Sequence, residues 1–186
     1  MKVPGDTISV PESPDEELVK EVYARFGLCM YCAQVFETGL INILTLLETS
    51  ASRTPTRWTF DSFYKKYERL TFGQLMAGLE THKILPPNLA NEIRTLKLER
   101  DHLAHQFFRD HVLDFQTAAD CHQMIENLKV RTERFSALDE RVTQFQKETF
   151  ARLGFDPERA VRNHETTLAE LLAIARKKYE PPIPKS

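Results

Sequence analysis

The stretch PDEELVKEVYARFGLCMYCAQVFETGLINILTLLE, Pro14 to Glu48, decides the fold class. Its apolar residues fall at Leu18, Val22, Phe26, Cys29, Ala33, Phe36, Leu40, Ile43 and Leu47, in steps of three and four. That is the period of an amphipathic helix, sustained for far longer than a strand would hold. Ser13-Pro14-Asp15-Glu16 supplies a start, with Ser13 as cap, Pro14 in the first turn and Glu16 closing a capping box. Gly27 is the place where such a helix would kink.

Outward from this helix the chain keeps reading as helices separated by breakers. Thr49 to Arg57 is polar and reads as a loop, and Trp58 to Tyr67 as a short aromatic-rich helix. Thr71 caps a segment over about Phe72 to His82, with Leu75 and Leu79 turned inward. Leu85-Pro86-Pro87-Asn88 breaks the chain and launches a helix over about Pro87 to Asp110. A long helix follows over about Gln116 to Leu153, with Gly154 as its C′ residue. Asp156-Pro157-Glu158 restarts the chain toward Lys178, and Pro181-Pro182-Ile183-Pro184 forbids more helix. The chain has only 6 glycines, and no glycine-rich hairpin turns break it up. The expectation is an all-α, four- to five-helix bundle forming one domain over 13–179. A flexible lead-in at 1–12 and a Pro-rich tail at 180–186 flank it.

Composition narrows the function classes. At 41% hydrophobic residues, the 186-residue chain has enough apolar material for one core, which excludes wholesale disorder. A formal net charge of −2 gives no broad electrostatic pull on nucleic acid, so any such contact must be a local basic patch. Cys29 and Cys32 form a lone C-x-x-C inside the apolar helical pattern, and no second Cys or His pair completes a zinc set. They read as packing thiols. Three cysteines without a signal peptide lead us to expect a reducing, cytoplasmic compartment. No unbroken apolar run approaches the ~20 residues needed to span a bilayer, so no membrane partner is expected.

One segment breaks the helical pattern. In the helix from Pro87 the apolar stripe runs Leu89, Ile93, Leu96, Arg100, Leu103, Phe107. Arg100 stands where a core residue belongs. A guanidinium there needs a wet cleft, an exit to solvent, or a core carboxylate such as Glu37. Asp101 and His105 share one helical face, and Arg109 continues that row. An aspartate so placed can orient the imidazole. The bland reading of this row is a solvated set of salt bridges. His102 and His105, or Glu99-x-x-His102, could ligate a metal, but di-iron bundles need that motif twice and the chain has it once. No metal and no cofactor are expected.

The residues Leu98-Glu99-Arg100-Asp101-His102-Leu103-Ala104-His105-Gln106-Phe107-Phe108 resemble the signature of the HEPN domain family. That signature is an Arg, a polar residue, and a His after four to six intervening positions. The likeness covers about ten residues as a motif and Leu18 to Phe150 as helix order. It implies a four- to five-helix bundle, often dimeric, with two copies of the motif facing across the dimer axis. It also implies a metal-independent endoribonuclease of toxin or defence type, and a possible antitoxin partner. Carried over, Arg100 and His105 are the active-site pair and Asp101 the polar helper. Separately, the sequence offers basic side chains at Arg94, Lys97 and Arg109 around the motif and at Lys129, Arg131 and Arg134 on the next helix, with Lys97 and Arg109 the candidate RNA contacts and a solvated charged face the bland reading.

The chemistry suits RNA, which carries its own nucleophile in the 2′-hydroxyl. His105 can move a proton near neutral pH, and Arg100 can hold the nonbridging phosphate oxygens. The alternative is a non-catalytic helical module that binds protein or nucleotide and keeps the motif as a structural remnant.

Overall fold

A computed structural model describes residues 12–52 and 57–152. Those residues form an all-α fold: α1 (Glu16–Ala51), α2 (Arg57–Tyr67), α3 (Phe72–His82), α4 (Pro87–His105), the single turn α5 (Phe107–Asp110) and α6 (Ala118–Arg152), with a 3-10 turn at Asp114–Gln116. By its contacts the chain divides into two compact units, Met1–Thr143 and Gln144–Ser186. The first carries α1 to α5 and most of α6. The expected restart at Asp156, the C′ role of Gly154, the tail at 180–186 and most of the lead-in lie outside the described residues. Glu12, the last residue of that lead-in, is held, because its carbonyl accepts from Ala118 N at 2.8 Å.

The helix starts obey local chemistry. The cap of α1 is Asp15 rather than Ser13: its carboxylate accepts from Leu18 N at 2.7 Å, and Glu16 and Glu17 follow in the first turn. A carboxylate beside free N–H groups and the positive helix end outcompetes a hydroxyl two residues earlier. α1 runs unbroken through Gly27 and continues to Ala51, past the expected loop start at Thr49. There Thr49 Oγ1 donates back to Thr45 O at 2.7 Å and stays buried, as a polar residue inside a helix can. Thr71 caps α3 in a full capping box with Gln74. Pro87 opens α4 at N1, where its missing N–H costs nothing.

α1 is the central strut. Val22, Cys29, Ala33, Phe36, Leu40, Ile43 and Leu47 of its stripe are buried. On length and composition α1 could also cross a membrane, yet Leu40, Ile43 and Leu44 are buried inside the bundle. α3 runs parallel to α1, with Phe36 against Phe72 at 5.9 Å and Leu44 filling the space over Gly78. α4 returns antiparallel, pairing Arg100 with Glu37, and just beyond it Phe107 of α5 meets Phe26. α6 is antiparallel to α4, with Arg141 on Glu92, Arg134 on Glu99 and Arg131 on His102. Near Tyr67, Glu48 ties α1 to two neighbours, accepting from Tyr67 Oη at 2.9 Å and lying 3.5 Å from His82 Nε2. Burial, reinforced by Glu48, pushes the Tyr67 hydroxyl well above its ordinary pKa. Phe36, Phe107 and Phe135 are fully buried, each stabilising the fold by roughly 1.5–3 kcal/mol.

The expected helix to Asp110 is broken. α4 ends at His105, and Gln106 leaves helical geometry with φ −128° before α5 begins. The cause is aromatic packing. Phe107 and Phe108 both reach Phe26, at 5.3 and 4.6 Å, while Phe108 and Phe115 flank Tyr23 at 5.5 and 5.7 Å. A straight helix cannot point two successive residues at one neighbour, so the chain turns.

Candidate active site

The stretch Glu99 to His105 divides between two faces of α4. Arg100, Asp101 and His105, with Lys97 one turn earlier, line an open cleft of about 520 Å³. Glu99 and His102 face the other way. Arg134 holds Glu99 at 2.5 Å. His102 is bonded on both ring nitrogens, to Arg131 Nη1 at 3.0 Å and Asp110 Oδ2 at 2.9 Å. Arginine only donates, so Nδ1 accepts and the Nε2 hydrogen goes to Asp110. That places His102 as a clamp across the Gln106 break, fixing the end of α4 and with it His105. Among the described residues no group of three or more His, Cys, Asp or Glu side chains gathers to hold a metal.

Three parts of the chain build the cleft. α4 supplies its cationic wall. α1 supplies Glu37, and the turn between α2 and α3 with the first turn of α3 supplies Arg69, Leu70, Thr71, Phe72 and Gly73. Periodicity singles out Arg100 and offers Glu37 as one possible partner, and the structure shows both that pairing and an open cleft. Arg100 Nε lies 2.5 Å from Glu37 Oε1, with side chains 26% and 19% exposed. The contact is a charge pairing without hydrogen-bond alignment, since Glu37 Oε1 is buried and lacks a hydrogen-bond partner. Arg100 Nη1 reaches Asp101 Oδ1 at 3.3 Å.

Asp101 does not orient His105. Its Oδ2 takes Lys97 Nζ at 2.5 Å, so the aspartate pairs one turn backward rather than forward. A lysine there offers full charge, whereas an imidazole is at best partly charged at neutral pH. His105 is exposed and has no hydrogen bond or ion pair among the described residues. It is free to meet a ligand. Arg109 lies outside the cleft, exposed on α5, because the break at Gln106 ends the helical row that would have carried it past His105.

Arg69, Thr71 and Gly73 join the site without any signal in the sequence that ties them to Arg100. Arg69 is exposed in the α2–α3 turn and has no ion-pair partner among the described residues. Gly73 lies against Lys97, and a Cβ there would stand in ordinary contact, 3.4 Å from Lys97 Cε. The cleft thus carries Arg69, Lys97 and Arg100 against Glu37 and Asp101, with His105 at its edge. Such a mixture can grip an anion, and it holds an imidazole and carboxylates able to move protons. Comparison with family models, curated proteins and solved structures finds no match to the chain.

Proposed function

We propose that the chain is a metal-independent endoribonuclease of toxin or defence type, acting in the cytoplasm, with Arg100 and His105 as its active pair. The observation that carries this reading is the shared cleft: Arg100, Asp101, Lys97 and His105 line one open cavity, while their sequence neighbours Glu99 and His102 are engaged elsewhere. Arg100 would hold a nonbridging phosphate oxygen, drawing partly away from Glu37 as it does so. Lys97 and Arg69 would neutralise adjoining phosphates. The open cleft leaves room for a second protomer to complete it, and the resemblance points to a homodimer and an antitoxin partner.

A second reading has an observation of its own. Tyr23, Phe108, Val112 and Leu113 are exposed around α5, which suits an interaction module. Incubating the purified protein with total RNA in EDTA, and measuring its mass in solution, separates the two. Cleavage that survives EDTA, by a dimer, supports the nuclease. An inert monomer supports the module.

A further inference from the structure

We propose that Glu37 is the general base of the cleft, taking the proton of the RNA 2′-hydroxyl, while His105 protonates the leaving 5′-oxygen. The inference rests on the ribonuclease reading and assigns the second proton transfer that reading requires.

Cleavage of RNA by its own 2′-hydroxyl needs two proton movements on opposite sides of the phosphorus. One group receives a proton from O2′, and another gives one to O5′. The cleft lining offers three side chains for these tasks: His105, Asp101 and Glu37. Arg69, Lys97 and Arg100 are cations that do not accept a proton at neutral pH. Both oxygens of Asp101 are engaged, Oδ2 by Lys97 at 2.5 Å and Oδ1 by Arg100 at 3.3 Å. Glu37 differs. Oε1 faces Arg100 Nε at 2.5 Å and is buried. Oε2 has no hydrogen-bond partner among the described residues, and the side chain lines the cleft while 19% exposed. Glu37 is therefore the carboxylate with an oxygen to spare.

Its attachment to Arg100 points the same way. Arg100 is the group best suited to hold the phosphate, and it touches Glu37 directly. A phosphate bound to Arg100 is thereby brought beside the Glu37 carboxylate, as general-base transfer requires. Asp101, itself tied to Lys97, then serves as the positioning residue that keeps Arg100 in place.

The step balances without any co-reactant. The O2′–H bond breaks and its proton passes to Glu37 Oε2. The O2′–P bond forms as the P–O5′ bond breaks, and protonated His105 gives its proton to O5′. The products are a 2′,3′-cyclic phosphate and a 5′-hydroxyl end. Exchange with water restores both side chains.

The test is the pH profile of kcat for Glu37→Gln, His105→Ala and the parent, on ordinary RNA and on an oligonucleotide with sulfur in place of the scissile 5′-oxygen. Sulfur leaves without a proton, so it relieves the need for an acid and not for a base. Glu37→Gln keeps an oxygen for Arg100 Nε but no basic site. We expect it to lose about 10²–10⁴-fold in kcat with a small change in KM, and to lose the acid limb of the profile. The sulfur substrate should restore His105→Ala and leave Glu37→Gln impaired. If Glu37→Gln retains kcat and its acid limb, or is restored by sulfur, Glu37 only anchors Arg100 and the inference falls. Should Glu37→Gln not fold, His105→Ala on the sulfur substrate gives the answer: its rate should return with the acid limb intact, and failure to return, or loss of that limb, overturns the assignment. Failure of the underlying reading looks different, because then the parent is inert or His105→Ala cuts ordinary RNA as well as the parent.

Discussion

Arg100 shows how much a single misplaced side chain can carry. An arginine at a core position of an apolar stripe demands either a carboxylate or water, and it has Glu37 and a cleft. Asp101 shows the opposite. Its helical neighbours include Lys97 and His105, and periodicity alone does not rank them. The ranking comes from charge, and Lys97 takes it. Cys29 was legible as a packing thiol, whereas Cys32, read the same way, is only half-buried because it lies off the buried stripe of α1. Cys29 and Cys121 are buried, and desolvation raises the pKa of both thiols. Alkylation of the native protein, read by mass spectrometry, should therefore mark Cys32 first, with Cys29 and Cys121 reacting only on unfolding. Equal labelling of all three would contradict the packing. Asp139 carries a pH signature, because burial, with Glu140 next to it, holds its carboxyl above the usual range. A raised acid pKa means the folded state keeps the proton longer than the unfolded state. The stability linked to it is highest in acid and falls as pH rises through the folded value. Asp139→Asn should raise the melting temperature at neutral pH and leave it unchanged near about pH 3, below the ordinary aspartate range.

Helix existence was plain at the element scale, since α1, α3 and the start of α4 follow from stripe, cap and proline. The break at Gln106 was not. Phe107 continues the stripe of α4, and nothing local marks the turn. Its cause lies in Tyr23 and Phe26, some eighty residues earlier, which draw in Phe107, Phe108 and Phe115. Two glycines test the packing of the elements. Gly27 is exposed within α1, and a Cβ there would meet nothing within 4 Å. Gly27→Ala should stabilise by about 1 kcal/mol through helix propensity alone. At Gly78 a Cβ would stand 3.2 Å from Leu44 Cδ2, tighter than ordinary contact, and Leu44 is fully buried. Gly78→Ala should instead destabilise by about 1 kcal/mol net, the crowding outweighing the propensity gain. Thermal unfolding should thus move in opposite directions, by about 2–4 °C each. Shifts of the same sign would mean that α3 does not seat on α1 through Gly78.

Across the whole molecule, the fold class was legible and the cleft only in part. The α4 wall could be read because its residues lie within two turns of one another. The opposite wall, from Arg69 to Gly73, belongs to a different part of the sequence and joins the cleft only when α3 docks on α1. No spacing rule links those residues to Arg100. The function proposed for the cleft stands or falls with RNA cleavage through His105. Arg100→Ala is a poor probe of it, since that change strands the mostly buried Glu37 and endangers the fold. His105→Ala is the better one, because the side chain is exposed and makes no hydrogen bond or ion pair among the described residues. The decisive measurement is RNA cleavage in EDTA by the parent and by His105→Ala at matched helical content. We expect cleavage by the parent and loss of at least about a hundredfold in the variant. Equal cleavage by both proteins, or none by the parent dimer, would refute the assignment.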